Sequence, residues 1–476
     1  VQKFPFLKKL STVDSLIVGL FTNRYALTCF GILLIQQIIE ASSTIWLVKL
    51  MQAITQGEPF TTYFVLSISS LALAYIPQCI AYIFKITWKQ EAIRSFINTF
   101  ISSNKNNILE WSDQKIKEKK LSILTSEAPA VLHASIDYSW DLYTYILSVF
   151  LNMTALSIVL EPLFIVTYAL SISCVFIVMK FKRKTQMIMT QRALTSRVDL
   201  AQSLLAAWDN VLLGNEYSFK LWEDQTNERL SRCMRRNVEL ERFDQFLAII
   251  VSLITSVPSL LVVISFVVQH RNNLVELSSF IVVLPLLFMN LSYTYQTLSL
   301  AFRWNMHRDK LHSVYKAIQP EDQVDSDVEQ KVNWPKIAVS ERKFDNASNK
   351  TSLSSNYSIQ SHKDLLHKAS TSCRLTLRGD NGCGKSATLM LMKQSLEHRA
   401  FFLPTQNQLS FSAEIHKHST GESLRRRLGE ILEKVEVDVL LLDEWDANLD
   451  KENEEQLSLL IDKLAEKKCI IEVRHR

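Results

Sequence analysis

Six stretches of this chain are almost free of Asp, Glu, Lys and Arg. Tyr25–Val48 is interrupted only by Glu40, and Pro59–Phe84, Leu142–Leu160, Pro162–Met179, Phe246–Val268 and Leu277–Phe302 contain none of the four. Each is near or above the roughly 18–20 residues that cross a bilayer as helix, so the pattern predicts six spans. The connections between them alternate in length and charge. Lys85–Asp141 holds eight Lys/Arg and Lys180–Phe243 holds twelve, whereas the three short connections hold only Lys49 and Arg271. Basic residues favour the cytoplasmic side, which puts both long connections and both termini there. The long connections mix apolar pairs at helical spacing (Ala201–Leu221) with dense alternating charge (Arg192–Arg242). The spans are therefore expected to continue as helices into the cytoplasm, turn back, and offer their tips to the C-terminal part of the chain.

The pattern changes at residue 303. Arg303–Ile318 reads as a helical exit, Gln319–Asp327 as an acidic linker, and the Ser- and Asn-rich Asp345–Tyr357 as a loop. The alternating Arg374–Arg378 predicts a strand, and the leucine- and methionine-rich Ala387–Ser395 predicts a helix. The apolar run from Val437 to Leu442, ending in Asp443 and Glu444, has the form of a buried parallel strand delivering two carboxylates to its end. At the other end of the chain, Lys3, Lys8, Lys9 and the short apolar Leu16–Thr22 predict an amphipathic helix along the cytoplasmic leaflet. The expected organisation is a lead-in helix over 1–24, a membrane domain of six helices over 25–318, a linker over 319–336 and an α/β domain over 337–476. The fold class is a multidomain membrane protein, all-α in its first part and α/β in its second.

Composition sharpens this picture in three places. Hydrophobic residues make up 47% of the chain and charged residues 21%, with the apolar excess lying before residue 303, which argues against a soluble enzyme. The net charge of +5 is modest and forms no compact basic patch interleaved with aromatics, so no nucleic-acid partner is expected. Cysteines at 29, 79, 174, 233, 373, 383 and 469 show no metal-ligand spacing and read as small hydrophobes in a reducing compartment, Cys383 alone being expected to react with alkylating agents. Glu40, alone within a span, admits three readings: a sensor of a cationic substrate or proton, a structural residue facing another helix, or the mark of a kink.

The segment Gly379-Asp-Asn-Gly-Cys-Gly-Lys385-Ser386 carries the chemistry. It fits G-x-x-x-x-G-K-[ST] between an expected strand and an expected helix. Glycines let backbone N–H groups curl around phosphate oxygens, the lysine reaches the β- and γ-phosphates, and the hydroxyl holds Mg²⁺. Gly379, Asp380, Asn381, Gly382, Cys383, Gly384, Lys385, Ser386 and Ala387 are thus the expected ATP contacts. Asp443, 58 residues after Lys385, is expected in the Mg²⁺ shell and Glu444 as the group that polarises the attacking water.

These motifs, in this order behind six spans, resemble the ATP-binding cassette (ABC) exporter half-transporters, and the resemblance covers almost the whole chain. It implies that Gln406 in Phe-Leu-Pro-Thr-Gln is the glutamine that contacts Mg²⁺ and water, with Gln408 as the alternative. It also implies that His418-Ser419-Thr420-Gly421-Glu422 stands for the signature whose Ser419 and Gly421 face ATP in the dimer. Ala447-Asn448-Leu449-Asp450 resembles the D-loop and His475 the switch histidine on the γ-phosphate. Tyr357 and Phe344 are the candidates for stacking on adenine. The family implies ATP and Mg²⁺ as cofactors, a second half-transporter as partner (a second copy or a relative), and the lipid bilayer as surroundings. It further implies an unidentified transported substrate, with peptides, lipids and hydrophobic drugs all compatible. The expected location is a bacterial inner (cell) membrane, with the nucleotide domain cytoplasmic. The chain departs from the family at Thr420 and His418, and only twelve residues separate Gln406 from Ser419, so the family's helical subdomain is reduced. An ATP-binding but weakly hydrolysing regulatory partner is the alternative reading, and a secondary transporter using Glu40 is a third.

Overall fold

The computed structural model describes residues 12–111, 113–159, 163–320, 328, 330, 332–343, 355–368, 373–405, 409–411, 420–447, 449 and 451–474. It divides the chain into two compact units, one formed by 1–96 and 126–316 and the other by 97–125 and 317–476.

The first unit is helical. A short helix α1 (Thr12–Thr22) precedes α2 (Arg24–Gln56) and α3 (Thr61–Asn104). After α4 (Ile108–Trp111) and α5 (Gln114–Ser122), which belong to the second unit, come α6 (Ala128–Val159), α7 (Leu163–Leu205), α8 (Ala207–Leu212), α9 (Glu216–Gln269) and α10 (Leu274–Ala317). The six uncharged runs of the sequence fall in α2, α3, α6, α7, α9 and α10, apart from their few terminal residues. Among the described residues, four helical stretches are long and apolar enough to cross a membrane: Arg24–Gln56, Thr61–Asn104, Lys119–Ile158 and Glu216–Gln269. Val275–Val282 and Leu284–Ala317 pass the same test as a pair bent by 42°. Pro285 lies at that bend and explains it, since proline removes one backbone donor and crowds the preceding turn. Six spans were expected; among the described residues four helices, or five with the bent pair, are long and apolar enough to be spans.

Local chemistry sets the helix ends. Asn23 caps α2 by accepting from the Ala26 amide at 2.8 Å. Gly57 ends the helix at φ +73°, a left-handed conformation that glycine adopts without Cβ strain, its N–H turned back to Ala53 and Ile54. Length then carries information. The 54 residues of α9 span about 80 Å at 1.5 Å per residue, far more than a hydrocarbon core of roughly 30 Å. Its charged first half, packed along α7, therefore extends well beyond the apolar second half.

In the second unit a six-stranded sheet is built from β1 (Ala338–Lys343), β2 (Ser355–Ser358), β3 (Cys373–Arg378), β4 (Ala400–Leu403), β5 (Val439–Asp443) and β6 (Cys469–Val473). The order is β2-β1-β3-β6-β5-β4, parallel from β3 through β4, with β1 and β2 joined antiparallel at one edge. Helices α11 (His362–Lys368), α12 (Lys385–Leu396), α13 (Thr420–Lys434) and α14 (Lys451–Ala465) complete it. Alternation along β5 sends Val439 and Leu441 into a core with α12 and sends Leu440 and Leu442 into a second core with α13 and α14. Both faces of the sheet are covered, which explains the unbroken apolar run of its sequence.

Three boundaries differ from the sequence reading. Tyr357, expected in a loop, lies in β2, because pairing with Val339 imposes an extended backbone on a segment without strand periodicity. Val328 and Val332, expected in the linker, are buried in the α12-side core. The third concerns the first long connection. Residues 97–125 belong to the second unit, where Leu109 is 1% exposed in the same core and Trp111 meets Phe402 edge-on at 5.7 Å. Lys120 pairs with buried Glu110 and donates to Asn104 at 2.8 Å, and Asn104 donates to the Ile318 carbonyl at 2.8 Å. Leu109→Ala is expected to destabilise this unit by about 2–4 kcal/mol, the usual cost of emptying a fully buried leucine site. Calorimetry would register it as a lower melting transition, and an unshifted one would remove residues 97–125 from the core.

Candidate functional site

The carboxyl ends of β3, β6 and β5 meet at one edge of the sheet. Leu377 is paired with Val473, and Val473 with Asp443, so the glycine loop after β3 and the acids Asp443 and Glu444 at the end of β5 emerge at the same level. Ligands of open α/β sheets bind at such carboxyl edges. Between β3 and α12 the chain turns through Gly382 at φ +81° and Gly384 at φ +95°. A side chain at either would strain the backbone, and nothing lies within 4 Å of the space a Cβ on Gly382 would occupy. Gly379 is required for another reason. A Cβ there would stand 2.5 Å from the Lys336 carbonyl oxygen and 2.9 Å from Cys383 Sγ. The loop is further pinned by the Asn333 amide on the Cys383 carbonyl at 2.9 Å.

Lys385 folds over this loop, its ammonium donating to the carbonyls of Gly379 at 2.8 Å and Asp380 at 3.2 Å. Ser386, one residue into α12, donates from Oγ to Asp443 Oδ1 at 2.9 Å. A hydroxyl and a carboxylate thus stand side by side at the amino end of a helix that follows the glycine loop. Two adjacent hard oxygens are the donor set Mg²⁺ takes from a protein when phosphates and water complete its octahedron. Ser386 and Asp443 therefore fit the metal, and the loop with Lys385 fits a polyphosphate. Among the described residues, no cluster of three or more His, Cys, Asp or Glu side chains offers an all-protein metal site.

Asp443 is 8% exposed, and burial pushes its carboxyl up to about 6. The Ser386 hydrogen bond opposes that rise, the Glu444 charge adds to it, and Lys385 lowers it. Glu444 has φ +40°, unusual for a residue with a side chain, and its amide donates to the Val473 carbonyl at 3.0 Å. Thr405 joins the site without having been expected. Its hydroxyl donates to the Asp443 carbonyl at 2.7 Å, tying the segment before Gln406 to the acidic strand end. A lone threonine after proline carries no signal that would have revealed this.

The remaining expected residues are spread more widely. Asp380, Asn381, Cys383 and Ala387 lie in the loop or the first turn of α12, with Cys383 buried at 3% exposure. Gly421 lies in the first turn of α13. Gln406, Gln408, His418, Ser419, Asn448, Asp450, His475 and Phe344 fall outside the described residues, as do Lys3, Lys8 and Lys9. In the first unit, Glu40 accepts from Gln36 Nε2 at 2.6 Å and Gln37 Nε2 at 3.2 Å, a neutral amide environment within α2.

No protein-family model matches the chain, and no curated protein matches it.

Gly379→Ala places a methyl group against the Lys336 carbonyl, so the loop must shift. We expect a loss of about 1–3 kcal/mol in stability, the range for overpacking. MgATP is expected to give the variant a smaller thermal shift than wild type. Wild-type melting and wild-type nucleotide response would show that the contact yields freely.

Proposed function

We propose that this chain is an ATP-driven exporter half-transporter of the ATP-binding cassette type, working as a dimer in a bacterial inner membrane. The observation that carries the reading is the Ser386–Asp443 hydrogen bond beneath a glycine loop, with Glu444 next in sequence. In this reading the Gly379–Gly384 backbone and Lys385 bind the phosphates of ATP. Ser386 and Asp443 hold Mg²⁺, which when bound neutralises phosphate charge. Glu444 accepts a proton from the attacking water. Gln406 and His475 complete the γ-phosphate side, and Ser419 and Gly421 face the ATP of a second subunit.

The helical unit supports a membrane role through helices longer and more apolar than a soluble core requires. The span count we adopt is six, one for each uncharged run. Coupling is supported by α4, which packs on α12, the helix that begins at Lys385. A shift of the phosphate loop would thereby reach residues 97–125. The dimer is supported by the other hairpin. Around α8, at the turn between α7 and α9, Leu205 and Tyr217 are 83% exposed and Trp208 is 75% exposed. This tip lies about 40 Å along α7 from the end of its apolar run, beyond the reach of lipid. An apolar patch in water marks a docking surface, and a second copy is the partner the reading supplies. The transported substrate stays open among peptides, lipids and hydrophobic drugs.

The interval of twelve residues between Gln406 and Ser419 favours one second reading, an ATP-binding regulatory partner with weak hydrolysis. Turnover by purified protein in lipid separates the two. Wild type is expected to hydrolyse ATP, Glu444→Gln to bind it with turnover reduced at least about 100-fold, and Lys385→Ala to lose binding. Binding without turnover in the wild type would favour the regulator. Retained turnover in Glu444→Gln would remove Glu444 from its role.

Trp208→Glu is expected to shift the purified protein from dimer toward monomer in mass photometry. An unchanged dimer would place the subunit contact elsewhere.

A further inference from the structure

A buried polar network lies directly behind Glu444. Along β6, Cys469, Ile471 and Val473 face the α12-side core, so Ile470 and Glu472 face α14. Glu472 is 1% exposed, and both of its oxygens are used. Oε1 accepts from Arg374 Nε at 2.9 Å and Thr376 Oγ1 at 2.8 Å, while Oε2 accepts from Arg374 Nη2 at 2.9 Å and Trp445 Nε1 at 2.8 Å. Arg374 in turn donates through Nη1 to Asp462 Oδ1 at 2.6 Å and to the Ser458 hydroxyl at 3.1 Å. Over the indole ring, the Arg474 guanidinium lies 5.0 Å from the Trp445 centroid and pairs with Asp446 at 3.4 Å and Glu454 at 2.8 Å. Trp445 is thus gripped by a carboxylate from β6 and a cation from the residue just after it. The residue it follows is Glu444, held at φ +40°. A left-handed conformation of a residue with a Cβ persists only where its surroundings determine it.

We propose that Trp445 and Glu472 are positioning residues for hydrolysis: their hydrogen bond fixes the turn after β5 and aims Glu444 at the water beside the phosphate loop. This rests on the reading of Glu444 as the group that polarises water. Neither residue belongs to the Gly379–Ser386 loop, so in this reading their loss acts on turnover and leaves nucleotide affinity in place. A network that merely held the sheet together would act on folding and affinity alike.

Trp445→Phe removes the indole N–H while keeping an aromatic ring for the Arg474 guanidinium. Glu472→Gln keeps the shape and removes the charge. Both are to be measured in full-length protein in lipid nanodiscs, with kcat and KM for ATP, affinity for a non-hydrolysable ATP analogue, and amide hydrogen exchange over residues 443–449. The expected result for Trp445→Phe is a kcat lower by about tenfold or more, the scale of one hydrogen bond to a charged group felt in the transition state. KM and analogue affinity should stay within about twofold of wild type, with faster exchange confined to the turn. Wild-type kcat with wild-type exchange in Trp445→Phe would overturn the proposal. So would a fall in affinity that matches the fall in kcat, because the role would then be structural. If Glu472→Gln fails to fold, Trp445→Phe decides alone. If the wild type itself shows no turnover, the hydrolysis reading fails, and the exchange measurement still decides whether this bond holds the turn.

Discussion

The hydrogen bond between Ser386 and Asp443 joins two ends of the sheet that are not neighbours. β3 and β5 are separated by β6, and only the register Leu377–Val473–Asp443 brings their carboxyl ends level. A slip of one residue in either pairing would turn every side chain of a strand to the opposite face, sending Asp443 away from the phosphate loop. The two apolar cores prevent the slip, since each strand buries alternate residues against α12 on one side and against α13 and α14 on the other. The site is thus a consequence of sheet packing. The acid needs its partner as well. A carboxyl with 8% exposure is costly to ionise without help, and Ser386 and Lys385 supply that help only while the loop keeps its left-handed glycines.

A second constraint is helix length, which exceeds what a bilayer crossing requires. α3, α7, α9 and α10 are each 43 residues or longer, against about 20 for a crossing. Beyond the apolar stretch the backbone continues as helix while the side chains turn polar, as in the charged first half of α9. Two connections then meet different fates. The one after α3 buries Leu109 in the core of the second unit, whereas the one after α7 leaves Trp208 and its neighbours exposed. A chain that had evolved both tips as plain solvated turns would have made both polar, and neither is.

Legibility in the sequence tracks physical reach. The Gly379–Ser386 loop was legible because its glycines stand at fixed spacing between a strand and a helix, and the acidic strand end because burial on both faces leaves an apolar run. The long apolar helices were legible by length, four of them, or five with the bent pair, being long and apolar enough to cross a membrane among the described residues. The docking of α4 was not, since three apolar residues in Ile108–Trp111 make no period and their partners lie more than 200 residues away. β2 was hidden because Ser355–Ser358 owes its extended form to β1 and not to its own composition. Thr405 and the indole N–H of Trp445 make single long-range hydrogen bonds, which leave no local pattern at all.

The Arg374–Glu472 pair bears on how the site was shaped. Burying two charges at 3% and 1% side-chain exposure costs several kcal/mol per ion, and a pair of packed apolar residues often serves stability as well or better. Ile470, two residues before Glu472 on the same face, shows that the layer accepts an apolar side chain. The charges therefore need a reason beyond cohesion. An apolar pair could fill the space but could not grip an indole N–H, and packing alone tolerates small rotations of a turn. Directional bonds do not. Where the residue beside the turn is a carboxylate in an uncommon backbone conformation at the mouth of a phosphate loop, fixing direction is the property such a pair supplies and a hydrophobic one lacks.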